Sequence, residues 1–411
     1  MAQPDHKPLL LLITTGLRRY REYLLRSICT RYRVHLIHSV EPTWELEYVA
    51  GATVVRDTGA ENVVAAARQI AAQQRVTGVM SWHEEHIVQA ALVAEELGLP
   101  GTRAEAVWRC RDKFQTRTTL AAEGLAQPAF MLVGTAEEAM TAADKLGYPV
   151  VVKPRAAGGS QGVTLVHDAA ELADHFAVSR DVVVTDTPDY EQGVLVEEYL
   201  DAPEISVDSV VYRGRVKPLF LGRKDVGFPP FFEETGHLVS HADPLLGDPE
   251  LLGALEAIHA ALGYTDGWTH AELRLTAQGP KLIEVNGRLG GDMIPYLGMR
   301  ASGIDPGLAA AAVACGEEPA TAASATSVAG VRFCYPPEND TLIESVEFDQ
   351  SALPPEIDLA LPLVERGDVV SPPRKGLIDG RIALATAVAP QAPECRRALD
   401  HAQRALRLRV G

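Results

Sequence analysis

From Lys7 onward, short apolar runs alternate with amphipathic stretches: "LLLLITT", "RRYREYLLRSICTRY", "RVHLIHSV", "ENVVAAARQIAAQQ", "TGVMSW" and "EEHIVQAALVAEELGLPG". Apolar runs of strand length separated by helix-length segments predict a parallel sheet covered on both faces. From Thr102 the rhythm changes. "RDKFQTRTTLAAEGL" predicts a helix, "PAFMLVG" a strand, and "AEEAMTAADKLG" a helix closed by a glycine cap. "YPVVVKPRAAGGSQGVTLV" reads as an antiparallel hairpin around a Gly-rich loop, "GVLVEEYL" as a buried strand, and "ISVDSVVYRGRVKPLFLGRK" as a meander. The helix "DPELLGALEAIHAALG" leads into "WTHAELRLTAQGPKLIEVNG", a hairpin turning at "TAQGP".

Ala309 to Ser327 is Ala-rich and reads as a helix followed by a linker. Beyond about Val328, strand-like "VAGVRFCYPP", "LIESVEFD" and "RIALATAVAP" and a closing helix "APECRRALDHAQRALRLRV" predict a small α+β unit. The fold class is therefore α/β followed by α+β. With 411 residues, too many for one ordinary core, the expected divisions are 1–111, 112–325 with a lid at about 115–195, and 326–411.

Composition narrows the chemistry. With 46% hydrophobic and 23% charged residues the chain is globular throughout, and a net charge of -17 argues against nucleic acid or an anionic membrane as main partner. An anionic ligand must then be held by local cations, backbone amides or metal ions. Five scattered cysteines, Cys29, Cys110, Cys315, Cys334 and Cys395, show no C-x-x-C spacing, so neither a zinc site nor a disulfide framework is expected. The opening "KPLLLLITTG" is too short to span a membrane and has no signal-peptide pattern, which suggests a cytoplasmic protein. Its first turn, "TTGLRRY", has one glycine where a dinucleotide cradle needs G-x-G-x-x-G. The first domain is accordingly read as structural, lending residues to a site elsewhere.

Three stretches could carry that site. In "KPRAAGGSQG", Lys153 ends an apolar strand and precedes a loop with three glycines, a serine and no acid. Backbone N–H groups there can surround phosphate oxygens, although the sequence is not a Walker A motif. In the hairpin, alternation puts His270, Glu272 and Arg274 on one face together with Glu284 and Asn286, while Leu273, Leu275, Ile283 and Val285 face the other way. A turn near Gln278 and Gly279 sets Glu272 beside Glu284, and two carboxylates so placed repel unless a cation sits between them. Two carboxylates and an amide oxygen suit Mg²⁺ held jointly with phosphates. In "LVEEYLDAPEISVD", backbone groups at a strand end can read an adenine edge, and a carboxylate a few residues on can bind ribose hydroxyls.

The order of these pieces resembles the ATP-grasp superfamily, and within it carboxylate-amine ligases similar to bacterial L-amino acid ligases. The resemblance rests on Lys113, "VVKPRAAGGSQGV", "VEEYLDAPEISVD" and "AELRL…LIEVNGRLGG", with "GLPGTRAEAVWRCRDKFQTR" and "ASGIDPGLAAAAVACGEEP" extending it over nearly the whole chain. It implies an ATP-grasp fold with an N-terminal preATP-grasp domain. It also implies that ATP phosphates meet Lys113, Lys153 and the loop Gly158, Gly159, Ser160 and Gly162, that adenine meets Glu197, Glu198 and the backbone near Leu200, and that ribose meets Glu204. Glu272, Glu284 and Asn286 are implied to hold two Mg²⁺ ions, with Mn²⁺ as a substitute, and Arg288 to contact the transferred phosphoryl group or the acyl intermediate.

Substrate contacts carry over onto Glu234 and His237, against the rivals Glu233 and His241. Glu84 in "SWHEEH" is the candidate for a substrate ammonium group, with Glu85 and His83 as rivals. Gly290, Gly291 and Asp292 fall at the pocket, where Asp292 hints at a polar or cationic substrate group. The implied activity joins a small carboxylate to an amine, both small molecules and expected to be L-amino acids, through an acyl phosphate with release of ADP and phosphate. A homodimer is a further expectation. Rival expectations are a ligase that uses bicarbonate or a nucleotide-precursor amine, and an ATP-binding scaffold without catalysis.

Overall fold

The structure is a computed structural model that describes residues 7–182 and 193–411. Residues 1–6 of the expected first domain and 183–192 of the expected lid lie outside the described residues.

The first unit runs β1 (Leu9–Ile13), α1 (Arg18–Arg31), β2 (Arg33–His38), β3 (Gly51–Val54), α2 (Ala60–Ala71), β4 (Val76–Met80) and α3 (Ile87–Leu97). Its strands form a parallel sheet in the order β3-β2-β1-β4. All of β1 is buried, as a central parallel strand with helices on both faces must be. The short edge strand β3, "GATV", has no buried residue and so leaves no apolar run in the sequence.

The lid region follows a pair of helices, α4 (Ala104–Arg111) and α5 (Lys113–Ala122), and comprises β5 (Phe130–Val133), α6 (Ala136–Leu146), β6 (Val150–Pro154), β7 (Thr164–Val166), α7 (Ala169–Arg180) and β8 (Val194–Glu198). Its antiparallel sheet has the order β5-β8-β6-β7. Asp112 caps α5 by accepting from the Phe114 and Gln115 amides, and Thr135 and Glu138 close a reciprocal capping box on α6. Ala139, Ala142 and Ala143 of α6 and Leu172 and Phe176 of α7 bury the face of this sheet against Val150, Val152 and Val196.

The remainder runs β9 (Glu204–Tyr212), β10 (Arg215–Gly227), β11 (Glu233–Ser240), α8 (Pro249–Leu262), β12 (Gly267–Thr276), β13 (Gly279–Asn286), α9 (Ile294–Ser302), α10 (Pro306–Ala314), β14 (Val328–Cys334), β15 (Thr341–Phe348), β16 (Ile357–Pro362), β17 (Val369–Val370), β18 (Ala383–Ala389), α11 (Ala392–Ala405) and β19 (Leu406–Val410). An eight-stranded sheet has the order β13-β12-β9-β10-β11-β14-β18-β16, and β17-β15-β19 form a small second sheet. Strands β14, β16 and β18 thus continue the central sheet, so residues expected to form a separate C-terminal unit share its main-chain hydrogen bonds.

Two cores flank the central sheet. On one side Leu251, Leu255 and Leu262 of α8 pack on Val207, Leu273, Leu282 and Val285. On the other, Phe220 and Trp268 meet Leu297 of α9, and that core continues through Ala311 of α10 to Leu24 of α1 and Leu10 of β1. The first domain is therefore fastened to the central sheet through α9 and α10.

The hairpin corrects one sequence expectation. Glu272 pairs with Glu284, but Leu273 pairs with Leu282, leaving Ile283 as a β-bulge. Alternation breaks there: Leu282 is fully buried in the α8 core, whereas Ile283, expected to point away, lines the cavity beside Glu284.

Candidate active site

A cavity of 760 Å³ opens where the first domain, the lid hairpin, the central sheet and the 363–381 segment meet. Of the site residues expected from sequence, all but Gly162, His237 and Gly290 line it; His237 contacts Glu234 and Asp292 of the lining, and the Gly290 carbonyl accepts from Arg21 of the lining.

Glu272 and Glu284 face one another across β12 and β13, with His270 opposite Asn286 one pair further on. Neither carboxylate is left alone. The Lys113 Nζ lies 2.9 Å from Glu284, and the Lys224 Nζ lies 3.0 Å from Glu272 and 2.7 Å from Glu204, and also pairs with Glu234. Burial opposes the Lys224 charge, yet the three carboxylates overcome it and hold the ammonium well above its ordinary range. Burial likewise opposes the Glu272 charge, and Lys224 and His270 outweigh it, keeping the carboxylate ionised. Hard oxygen donors on adjacent strands, already balanced by cations, fit Mg²⁺.

The lysine expected at the phosphate loop sits at the end of β6, 2.7 Å from Glu197. Arg117, fully buried on α5, holds the same carboxylate at 2.8 Å and also donates to the Ile283 carbonyl at 2.7 Å. Burial alone would raise Glu197, but Arg117 and Lys153 bring its carboxyl down to about 2. Two cations share one carboxylate, so Lys153 pays in part: burial first, then the Arg117 and Lys113 charges, lower its ammonium to about 8 against the pull of Glu197. Glu197 thus lies under the loop as the anchor of Lys153.

The loop itself turns through left-handed backbone at Gly159, Ser160 and Gly162, with φ of 62°, 56° and 69°. A Cβ on Gly162 would stand 2.6 Å from a Val182 methyl. The Lys113 Nζ donates to the Ala157 carbonyl at 2.8 Å and the Ser160 hydroxyl to that of Phe232 at 3.0 Å, which fixes the loop over the site.

At the β8 end, Glu198 accepts from the Ala129 amide at 3.1 Å, while Leu200 is buried and gives its carbonyl to the Ala202 amide. Glu204 is held by Lys224 and by Arg274 at 2.7 Å, and the Arg274 guanidinium lies over the rings of Tyr199 and Phe232. These two aromatic side chains offer a flat apolar surface beside the hinge.

A second polar cluster lies beyond the carboxylate pair. The His237 Nε2 stands 3.1 Å from Glu234 and 3.2 Å from Asp292, and the Arg381 Nη1 donates to Asp292 at 2.6 Å. Burial would lower His237, but Glu234 and Asp292 raise it to about 9, so it is a cation at neutral pH. Asp292 adopts φ of 47°. Its carboxylate is spent on Arg381 and His237, which removes the charge expected to attract a cationic substrate group. Of the rivals, Glu233 lines the cavity and is bound by Tyr335 at 2.5 Å and by Arg381, whereas His241 does not line it. Glu84 reaches the cavity but is clasped by Arg288 and lies 3.6 Å from Arg111.

Sequence reasoning missed Asp208, a fully buried carboxylate inside the apolar run of β9. It accepts from the Trp268 Nε1 at 2.8 Å and the Gly290 amide at 2.9 Å, and stands 3.2 Å from His270 Nδ1. A Cβ on Gly290 would come within 2.8 Å of that carboxylate, so glycine is required for the close approach. Lys224 and Arg381 were also missed; neither stands in a recognisable motif, and only the fold brings them to the site.

The chain has an ATP-grasp fold, and its residues 146–296 match the family described as "ATP-grasp domain". Over 98% of its length it superposes on 99% of an L-amino acid ligase from Bacillus licheniformis, with a TM-score of 0.82 at 23% identity. It is 30% identical over 289 residues to the uncharacterized protein y4rH of Sinorhizobium fredii, covering 67% of this chain and 57% of that protein. Carnosine synthase 1 of Homo sapiens is 30% identical over 260 residues, covering 60% of this chain and 31% of that one. The chain thus spans between about a third and just over half of these curated relatives. Among the described residues no helix is long and apolar enough to cross a membrane.

Proposed function

We propose that the protein is an ATP- and Mg²⁺-dependent carboxylate-amine ligase that forms an amide or peptide bond between two small substrates, L-amino acids as the leading class. The observation that carries this reading is the cross-strand pair Glu272 and Glu284 in one cavity with Lys113, Lys153 and Arg288. Relatives named as an L-amino acid ligase and a carnosine synthase support it.

Lys113, Lys153 and the 158–162 loop bind the phosphates of ATP, and the hinge at 197–204 receives the nucleoside. Glu272, Glu284 and Asn286 would hold Mg²⁺, which supplies charge neutralisation at the phosphoryl oxygens. The substrate carboxylate attacks the γ-phosphate to give an acyl phosphate and ADP. The amine then attacks the acyl carbon, expels phosphate, and loses a proton as the amide forms. Arg288 faces charge that develops on oxygen in these steps, where preorganised cations are most effective, and the His237 imidazolium holds Glu234 and Asp292 of the lining in place. No covalent enzyme nucleophile is needed, and all five cysteines are free thiols, four of them buried.

Phosphate release across a matrix of amino-acid pairs, with mass spectrometry of products, tests the proposal. A condensed product with stoichiometric phosphate is expected. Phosphate release with bicarbonate alone would transfer the assignment to the bicarbonate-using class, and silence with tight ATP binding would favour a scaffold.

A further inference from the structure

Apart from the exposed Arg19, the lysines and arginines that line the cavity are matched to carboxylates with one exception among the described residues. Lys113, Lys153, Lys224, Arg288 and Arg381 each have a carboxylate oxygen within 4.0 Å, and Arg21 has none. Arg21 lines the cavity, and its Nη2 donates to the Gly290 carbonyl at 3.2 Å. Its Nη1 is buried beside the Tyr23 hydroxyl, which interacts with the guanidinium, and neither group has another side-chain hydrogen-bond partner. Burial opposes this guanidinium charge and outweighs the support of Tyr23 and of the Asp292 carboxylate, while Arg288 nearby adds repulsion. A cation so placed, with no carboxylate in contact, is costly unless an anion completes it.

A second observation points the same way. Arg21 stands in the first turn of α1, which begins at the cavity with no acidic residue in that turn and no side-chain cap. The positive end of the helix therefore adds to the guanidinium. The bond to Gly290 ties Arg21 to the segment that carries Arg288 and Asp292, and Asp292 is already neutralised by Arg381 and His237. This end of the cavity offers no free carboxylate to a cationic substrate group, and to an anionic one it offers a guanidinium that has no carboxylate partner of its own.

We infer that Arg21, with the N-terminus of α1, binds a carboxylate of a substrate other than the one that is activated; the inference rests on the ligase reading above. Two sources share this chemistry: the free α-carboxylate of an amino acid acting as the amine, and the second carboxylate of a dicarboxylic acid acting as the acid.

The test compares the wild type with Arg21→Met and Arg21→Lys in steady-state phosphate release at saturating ATP. Amino acids are paired with their amides as the amine, and dicarboxylic with monocarboxylic acids as the acid. Arg21→Met is expected to raise KM at least tenfold for the carboxylate-bearing member of one panel and to leave its neutral counterpart and the KM of ATP within twofold. Arg21→Lys should recover part of the loss, and the panel that responds names the source. An unchanged KM, or an equal change for charged and neutral members, overturns the inference. If the wild type releases no phosphate with any pair, the ligase reading fails by itself, and calorimetric binding of the same compounds decides Arg21: binding lost only in Arg21→Met upholds it, and binding that is absent or equal overturns it.

Discussion

Glu272 on β12 and Glu284 on β13 are direct cross-strand partners, yet each is bound by a different lysine, Lys224 at 3.0 Å and Lys113 at 2.9 Å. Like charges directly opposite in a sheet destabilise it. Here the lysines, from β10 and α5, balance the pair and hold both acids in place at the site.

Glu284→Gln keeps the shape and removes one charge. Phosphate release is expected to fall by about 10²–10³-fold, the scale of losing one preorganised electrostatic contact. The thermal midpoint should change little, because the lost Lys113 pair is offset by relief of repulsion with Glu272. Near-normal turnover at saturating Mg²⁺ would remove Glu284 from the metal set.

With Lys153 at the phosphates as proposed, ATP binding is expected to depend on pH. Its ammonium, lowered to about 8 by burial and neighbouring cations, is charged in the free protein below that pH and loses its proton above it. ATP phosphates favour the charged form and raise its pKa in the complex. Affinity should therefore be flat below about pH 8 and fall above it by up to about tenfold per pH unit, with proton uptake on binding. Calorimetry in buffers of different ionisation enthalpy reads that proton directly. Lys153→Met should weaken ATP binding and abolish the dependence; a flat profile in the wild type would remove Lys153 from the phosphate site.

Much of this site was legible because local rules agree with the fold around the hairpin. The turn at "TAQGP" sets the register that places Glu272 opposite Glu284, and the Gly-rich loop after Lys153 announces a backbone that can turn through positive φ. Alternation failed one residue before Glu284, because a bulge inserts a residue without any mark in composition. Asp208 was illegible for another reason. Inside "ISVDSVVY" it looks like one polar interruption of a strand, and its partners Trp268, His270 and Gly290 lie 60 or more residues away. Arg381 enters from the far end of the chain, and the shared sheet alone explains its arrival beside Asp292.

The bulge separates stability from function at adjacent residues. Leu282 is fully buried among Leu273, Val285 and the α8 leucines, so Leu282→Ala is expected to cost about 2–5 kcal/mol in denaturant unfolding. Ile283 lines the cavity and remains partly accessible. Ile283→Ala should cost under about half as much, yet raise the KM of ATP. Equal destabilisation by both would mean that the bulge does not turn Ile283 out of the core.

Asp292 and Arg381 form a pair at 2.6 Å that joins the turn after β13 to the segment before β18, with Arg381 also lying 3.7 Å over the Phe333 ring. The Arg381 charge and the His237 contact hold Asp292 well below the usual carboxylate range, although burial works against them. Breaking a buried pair from one side leaves the other charge stranded, at a cost of about 3–5 kcal/mol. Asp292→Ala and Arg381→Met should each destabilise by about that amount, and the double variant by less than their sum. If Asp292 instead attracted a cationic substrate, Asp292→Ala would raise KM for basic amino acids selectively and leave the thermal midpoint unchanged. Thermal unfolding of the three variants beside their substrate profiles separates these outcomes.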